Sequence, residues 1–211
     1  VEHLTLTTSN VSRETFENSR QLYSKHRKTL GNYLDHLLWW NKRINLISRN
    51  VSRETVKHHL LHSLLLSQFE AFFSAQVVLD AGSGGGLPGI PLAITHPKKR
   101  FTLNDIVSKK CMAMKQMVQR LGLQNVTISD GSVEQIKPDH SFLLISKHAF
   151  KINELYAMTS HLPWESMVLY KGMDIKEELQ GIKESLSIHR YDLSKGPDFY
   201  AGKALVVISR E

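Results

Sequence analysis

Apolar residues along this chain are spaced for helices up to about residue 75 and for strands beyond it. Leu30, Leu34, Leu37 and Leu38 recur at i, i+4, i+7 and i+8, which places them on one helical face. Ser52-Arg53-Glu54-Thr55 opens a second helix, in which Val56, Leu60 and Leu64 return every fourth residue, and residues 12–29 form a third, more polar one. From Gln76 onward, short apolar runs at 77–79, 101–103, 126–128, 142–145 and 167–170 are separated by helical stretches. The clearest stretch is 108–121, with an apolar stripe of Met114, Met117, Val118 and Leu121. Strands alternating with helices predict an α/β fold with a parallel sheet covered on both faces. The last two runs, 187–191 and 204–208, are joined by Ser194-Lys195-Gly196-Pro197-Asp198, so they are expected to close the sheet as an antiparallel hairpin. The organisation expected is one compact unit, with a helical amino-terminal extension over residues 1–75 and the α/β domain over 76–211.

Composition narrows the class without naming a function. Of 211 residues, 41% are hydrophobic and 22% charged, which excludes disordered and collagenous chains and suffices for a real core. The formal charge of +7 becomes informative once located. Residues 1–75 hold ten Lys and Arg against six Asp and Glu, and residues 98–120 hold seven against a single acid, Asp105. Such a surface suits a polyanion. One cysteine, Cys111, allows neither an intrachain disulfide nor a multi-cysteine metal site, and no metal site is expected. No apolar run is long enough to span a bilayer, and the first residues lack the basic and apolar regions of a secretory signal. The expectation is a monomeric cytoplasmic protein without membrane contact.

The strongest local signal is Val77-Val78-Leu79-Asp80-Ala81-Gly82-Ser83-Gly84-Gly85-Gly86-Leu87-Pro88-Gly89. A strand ends in an acid and enters Gly-x-Gly-x-Gly, the place where open α/β sheets bind nucleotides. A dinucleotide fingerprint needs Gly-x-Gly-x-x-Gly opening a helix, whereas Pro88 and Pro91 interrupt that entry; a Walker loop lacks its Gly-Lys-Ser/Thr. Asp80, Gly82, Gly84 and Gly86 instead resemble the first motif of class I S-adenosylmethionine-dependent methyltransferases. That resemblance implies a Rossmann-like, seven-stranded, mostly parallel sheet with an antiparallel last strand, with Asp80 able to face a methionine amine. A second acid should end the next strand and take the ribose hydroxyls, and Asp105 stands nineteen residues after Gly86. A helix-capping role for Asp105 is the alternative.

Three further segments sharpen the resemblance. Gly86-Leu87-Pro88-Gly89-Ile90-Pro91-Leu92-Ala93, Thr102-Leu103-Asn104-Asp105 with Lys109-Lys110, and Trp40-Asn41-Lys42-Arg43-Ile44-Asn45-Leu46 together resemble the bacterial small-subunit ribosomal RNA guanine-N7 methyltransferases, the glucose-inhibited division protein B family. Val56-Lys57-His58, Ser63-Leu64 and Lys171-Gly172 match further segments. The resemblance implies that Gly82 and Leu87 contact S-adenosylmethionine, that Asp105 binds its ribose, and that Val133 and Glu134 lie beside its adenine. Lys147 stands where the family has an Arg, His62 where it has an Asp, and Ser132 where it has an Arg. Lys keeps the charge of Arg without its planar fork.

Guanine N7 carries a lone pair and no proton, so its methylation needs no general base and no catalytic dyad is expected; alignment and exclusion of water remain. Carbon-5 methylation would need a Cys nucleophile, and Cys111 reads as a packed core thiol. Methylation of an exocyclic amine would leave an Asn/Asp-Pro-Pro-aromatic stretch where Ser146-Lys147-His148-Ala149-Phe150 stands. Arg43, Arg53, Lys109, Lys110 and Lys147 are the candidate contacts to ribosomal RNA or the small ribosomal subunit. Trp39 and Trp40, beside the leucine stripe, are expected in the core, with stacking on a base as the alternative. His58, His59 and His62 could suggest a metal, but no carboxylate or thiol accompanies them. A family member that binds RNA without catalysis and a small-molecule methyltransferase remain the competing readings.

Overall fold

The computed structural model describes residues 4–210. Eight strands form one sheet in the order β1-β7-β8-β6-β5-β2-β3-β4. They are β1 (Leu4–Asn10), β2 (Val77–Ala81), β3 (Arg100–Asp105), β4 (Val126–Asp130), β5 (Phe142–Lys147), β6 (Trp164–Gly172), β7 (Leu186–Asp192) and β8 (Lys203–Arg210). Only β8 runs against the rest, pairing antiparallel with both β6 and β7. The closing hairpin is therefore as expected, and all seven strands anticipated from the apolar runs are present.

The eighth strand, β1, is the departure. Residues 4–10 fall inside the segment read as helical, yet they pair in parallel with β7, Leu4 opposite Leu186 through Asn10 opposite Asp192. Mostly exposed and rich in Thr and Ser, this edge strand has almost no apolar alternation to announce it. Among the described residues there are seven α-helices: α1 (Arg13–Lys25), α2 (Arg27–Asn41), α3 (Arg53–Leu65), α4 (Glu70–Ser74), α5 (Gly89–Thr95), α6 (Ser108–Arg120) and α7 (Ile152–Thr159). Ser12 and Ser52 cap α1 and α3 by accepting from the amides of Thr15 and Thr55 at 3.3 and 3.0 Å.

The period of two along each strand sorts the core into two clusters. Val78, Phe101, Leu143, Ile145 and Val168 face the larger one, with Leu30, Leu34, Leu37, Leu60 and Leu64 of α2 and α3 and Met114 and Met117 of α6. Leu79, Leu144, Met167, Leu169 and Ile188 face the other, with Ile152 and Leu155 of α7. The amino-terminal helices thus share a core with the sheet. Strand order reverses at β2, which lies between β3 and β5, and a crevice opens beyond the carboxyl ends of these three strands.

Candidate active site

The glycine loop between β2 and α5 is held from below by side chains. Asp80, fully buried at the end of β2, accepts on one carboxylate oxygen from Ser83 Oγ at 2.6 Å and from the Gly89 amide at 2.9 Å. Asp105, at the end of β3, accepts from the Gly84 amide at 2.9 Å and, through its other oxygen, from the Val107 amide at 2.9 Å. Tyr33 of α2 donates to the Gly85 carbonyl at 2.8 Å. Gly82 has φ +68°, and a Cβ there would stand 2.5 Å from Ala149 Cβ. The loop can pass only because that side chain is missing.

Above the loop lies a cleft with two lobes. The first, of 280 Å³, is walled by Gly82, Gly84, Leu87 and Lys147, by His59 of α3, and by Leu46, Ile47 and Val51 of the segment after α2. The second, of 270 Å³, is walled by Asp105, Ile106, Val107, Val133, Phe150 and Met158. Gly82, Lys110 and Ala149 line both, so they form the neck between them. Two polar anchors shape the walls. Asn41 accepts from the amides of Leu46 and Ile47 at 2.8 and 3.0 Å and donates to the Ser48 carbonyl at 2.6 Å, curling residues 42–48 over the first lobe. Lys171, buried beside Glu178, donates to the Phe150 carbonyl at 2.6 Å and fixes the neck from the far side.

Burial sets the charge of this wall. The Lys147 ammonium donates to His59 Nδ1 at 3.1 Å, and burial pulls its pKa down to about 8. Burial, assisted by the Lys147 charge, lowers His59 to about 3 and His148 to about 4. His62 lies wholly buried among Tyr170, Phe199 and Tyr200, with its pKa held well below the ordinary value. Asp80 is pushed up to about 7 by burial, against the pull of its two donors. At neutral pH the first lobe therefore presents the neutral imidazoles of His59 and His148 beside the Lys147 ammonium, with Lys110 at the neck, and no carboxylate lines it among the described residues.

Of the residues singled out from the sequence, Gly82, Gly84, Leu87, Asp105, Val133, Lys110 and Lys147 meet at the cleft. Asp80 and Gly86 lie beneath it instead; Asp80 braces the loop, and a Cβ on Gly86 would meet Ile90 at 2.4 Å. Glu134 is exposed beside Val133 and accepts from Ser132 at 3.2 Å. Lys109 is exposed, Arg53 is paired with Asp35, and Arg43 covers a face of Trp39. Trp39, expected in the core, is 48% exposed, because the helix turns it away from the Leu34–Leu37 face. Cys111 is buried and donates to the Asp105 carbonyl at 3.2 Å, a packed thiol as expected. The His trio diverges: His59 meets Lys147, His58 stacks on Phe199, and His62 is enclosed. Among the described residues no group of three or more His, Cys, Asp and Glu could hold a metal ion. Tyr33, Asn41, His59 and Lys171 acquire roles that sequence reasoning did not assign; for Asn41 and Lys171 the signal was their place in matched motifs.

A reversed last strand, a switch-point cleft and a glycine loop define the Rossmann-like methyltransferase fold. The O-methyltransferase from Bacillus cereus in complex with SAH shares it at a TM-score of 0.56 and 19% identity, over 84% of this chain and 90% of that one. A putative O-methyltransferase from Klebsiella pneumoniae does so at 0.57 and 16%, over 85% and 90%. Sequence carries the assignment further. Residues 26–206 match the family described as rRNA small subunit methyltransferase G. The ribosomal RNA small subunit methyltransferase G of Chlorobium limicola is 34% identical over 209 residues, covering 94% of this chain and 93% of that protein. That of Vibrio campbellii is 32% identical over 195 residues, covering 90% and 91%. The chain belongs to this family.

Proposed function

We propose that this chain transfers a methyl group from S-adenosylmethionine to N7 of a guanine in small-subunit ribosomal RNA. The observation that carries this reading is the two-lobed cleft with its glycine neck, in a chain of the rRNA small subunit methyltransferase G family. The cleft fits such a cofactor: a side chain at Gly82 would close the neck, and one at Gly84 would press on the Leu46 carbonyl at 3.2 Å. Gly82, Gly84, Leu87 and Lys147 would hold its amino-acid end, with Asp105 and Val133 on the nucleoside side and Glu134 outside the wall. When bound, the cofactor supplies an electrophilic methyl group.

The remaining work falls to the chain. The acceptor nitrogen has no proton to lose, so a first lobe with no carboxylate among the described residues is no obstacle. Methylation leaves a positive charge on the purine, and neutral His59 and His148 oppose it less than imidazolium ions would. Leu46, Ile47 and Val51 form an apolar wall that excludes water from the reacting groups. Lys109, Lys110, Lys115 and Arg120 of α6, with Lys110 at the neck, favour a phosphate backbone. This reading carries with it a cytoplasmic protein working on ribosomal RNA or the small subunit, as a monomer. No helix among the described residues is long and apolar enough to cross a membrane.

The test is incubation with labelled cofactor and either naked small-subunit RNA or isolated small subunits lacking the modification, followed by mass spectrometry and N7-specific strand cleavage. One methylated guanosine with cleavage at that position is expected. Failure to label either substrate, or label on another atom, overturns the proposal.

A further inference from the structure

Trp39 lies outside the cleft, near the end of α2, and leaves nearly half of its surface in solvent. It is nonetheless held firmly. The Arg43 guanidinium sits 3.4 Å from the ring centroid and donates to the Trp39 carbonyl at 2.8 Å, and Trp40 packs edge-on at 5.0 Å and 85°. The ring borders a groove of 360 Å³ between α2 and α6, lined by Asp35, His36, Trp39, Trp40, Gln116 and Arg120. The Asp35 charge is answered by Arg53, while the Arg120 guanidinium lines the groove and that of Arg43 lies against Trp39.

A rigid indole flanked by two guanidinium groups, with a Gln amide and an imidazole at hand, suits an unpaired base: π surface for the ring, donors for its edge, cations for the phosphates. The groove and the cleft share one helix, α6, which carries Lys110 at the neck and Gln116 and Arg120 in the groove. At the α-helical rise they are about 9 and 15 Å apart along its axis. Lys109 and Lys115 stand exposed on that helix.

We infer that the α2–α6 groove is a stacking platform for an unpaired base of the RNA substrate, flanking the guanine that enters the cleft, with Trp39 as its floor. The inference rests on the reading that the substrate is RNA. It concerns a second contact point outside the cofactor cleft, one that would grip the RNA without touching the reacting atoms.

The experiment compares wild-type protein with Trp39→Ala, Trp39→Leu and Trp39→Phe, since Leu keeps apolar bulk and Phe keeps an aromatic face. Trp39 is half exposed, so all three should fold, which thermal denaturation verifies. Removing one base stack should raise the KM for small-subunit RNA about ten- to a hundredfold in the Ala and Leu variants. Phe should retain most of the affinity, and kcat at saturating RNA and the affinity for S-adenosylhomocysteine should not change. Wild-type KM in Trp39→Ala or Trp39→Leu overturns the platform while leaving the methylation reading intact. So does recovery by Leu, which would mark a site for an apolar protein side chain. Titration of a short oligoadenylate, read by tryptophan fluorescence with Trp39→Phe as background, separates the two proposals. If wild type methylates no RNA yet its Trp39 emission is quenched, the platform stands and the reaction fails; no quenching overturns the platform.

Discussion

Gly82→Ala isolates the neck on which the cleft depends. The residue sits at φ +68°, a conformation that costs an L-amino acid about 1–2 kcal/mol. The new Cβ would lie 2.5 Å from Ala149 Cβ and 2.9 Å from the Phe150 ring, where contact between carbons is ordinarily about 3.5–4.0 Å. Relief therefore needs a shift of about 1 Å in the backbone at Ala149. That backbone has little freedom, because Ser146 Oγ donates to the Ala81 carbonyl at 2.8 Å and Lys171 grips the Phe150 carbonyl. Overpacking of this kind adds about 1–3 kcal/mol, for a total of about 2–5 kcal/mol. For a chain of this size Tm should fall by about 5–15 °C. Gly122→Ala provides the control: φ there is +66°, but nothing lies within 4 Å, so only the backbone strain is introduced. Differential scanning calorimetry and titration with S-adenosylhomocysteine read the two effects. The Gly82 variant should lose at least about tenfold in affinity, whereas the Gly122 variant should bind normally. A Gly82→Ala protein that binds like wild type and melts no lower than Gly122→Ala would refute the neck.

Three further outcomes follow from the same geometry. Asn41→Ala removes three hydrogen bonds from residues 46–48 and should cost about 2–4 kcal/mol, with faster tryptic cleavage at Arg43 or Arg49 than in wild type. His59 and His148 have pKa values near 3 and 4 in the folded chain against an ordinary 6.5, so the unfolded chain takes up protons first. The stability they contribute is complete above pH 6.5 and is lost as pH falls toward those values, by about 2–4 kcal/mol after allowing for their partial exposure, which urea melts across pH 4–7 will report. Asp80 acts in the opposite sense. With a pKa raised from 3.8 to about 7, it stabilises most below pH 3.8 and loses that contribution as pH rises through 7. Asp80→Asn should therefore lose stability more steeply than wild type between pH 6.5 and 4; parallel pH profiles for the two proteins would contradict the buried carboxylate.

The fold was largely legible because its strands are short apolar runs between turn residues and its helices carry an apolar stripe, both properties of neighbouring residues. The edge strand β1 was not, because a strand with one exposed flank needs no apolar alternation, and its partner β7 lies far along the chain. The cleft was legible in part. Gly82, Gly84 and Asp105 announce themselves through backbone demands and position after a strand. Asp105 shows why the competing roles could not be separated locally: the same carboxylate receives the amides of Gly84 and Val107 while lining the second lobe.

By itself, then, the chain's order of residues determined the sequence of strands and helices, the reversed last strand, the glycine loop and the position of the surplus positive charge. Each depends on spacing or on the conformational range of single residues. Only the tertiary structure decided that Asp80 braces the loop from beneath, that Tyr33 reaches the Gly85 carbonyl, that Lys147 meets His59, and that Trp39 faces solvent while its neighbour Trp40 is half-buried. The physical reason is the same in each case. These contacts join residues brought together by strand order and helix packing, or turn on which side of a helix finds the core, and neither is set within the few residues that a local pattern spans.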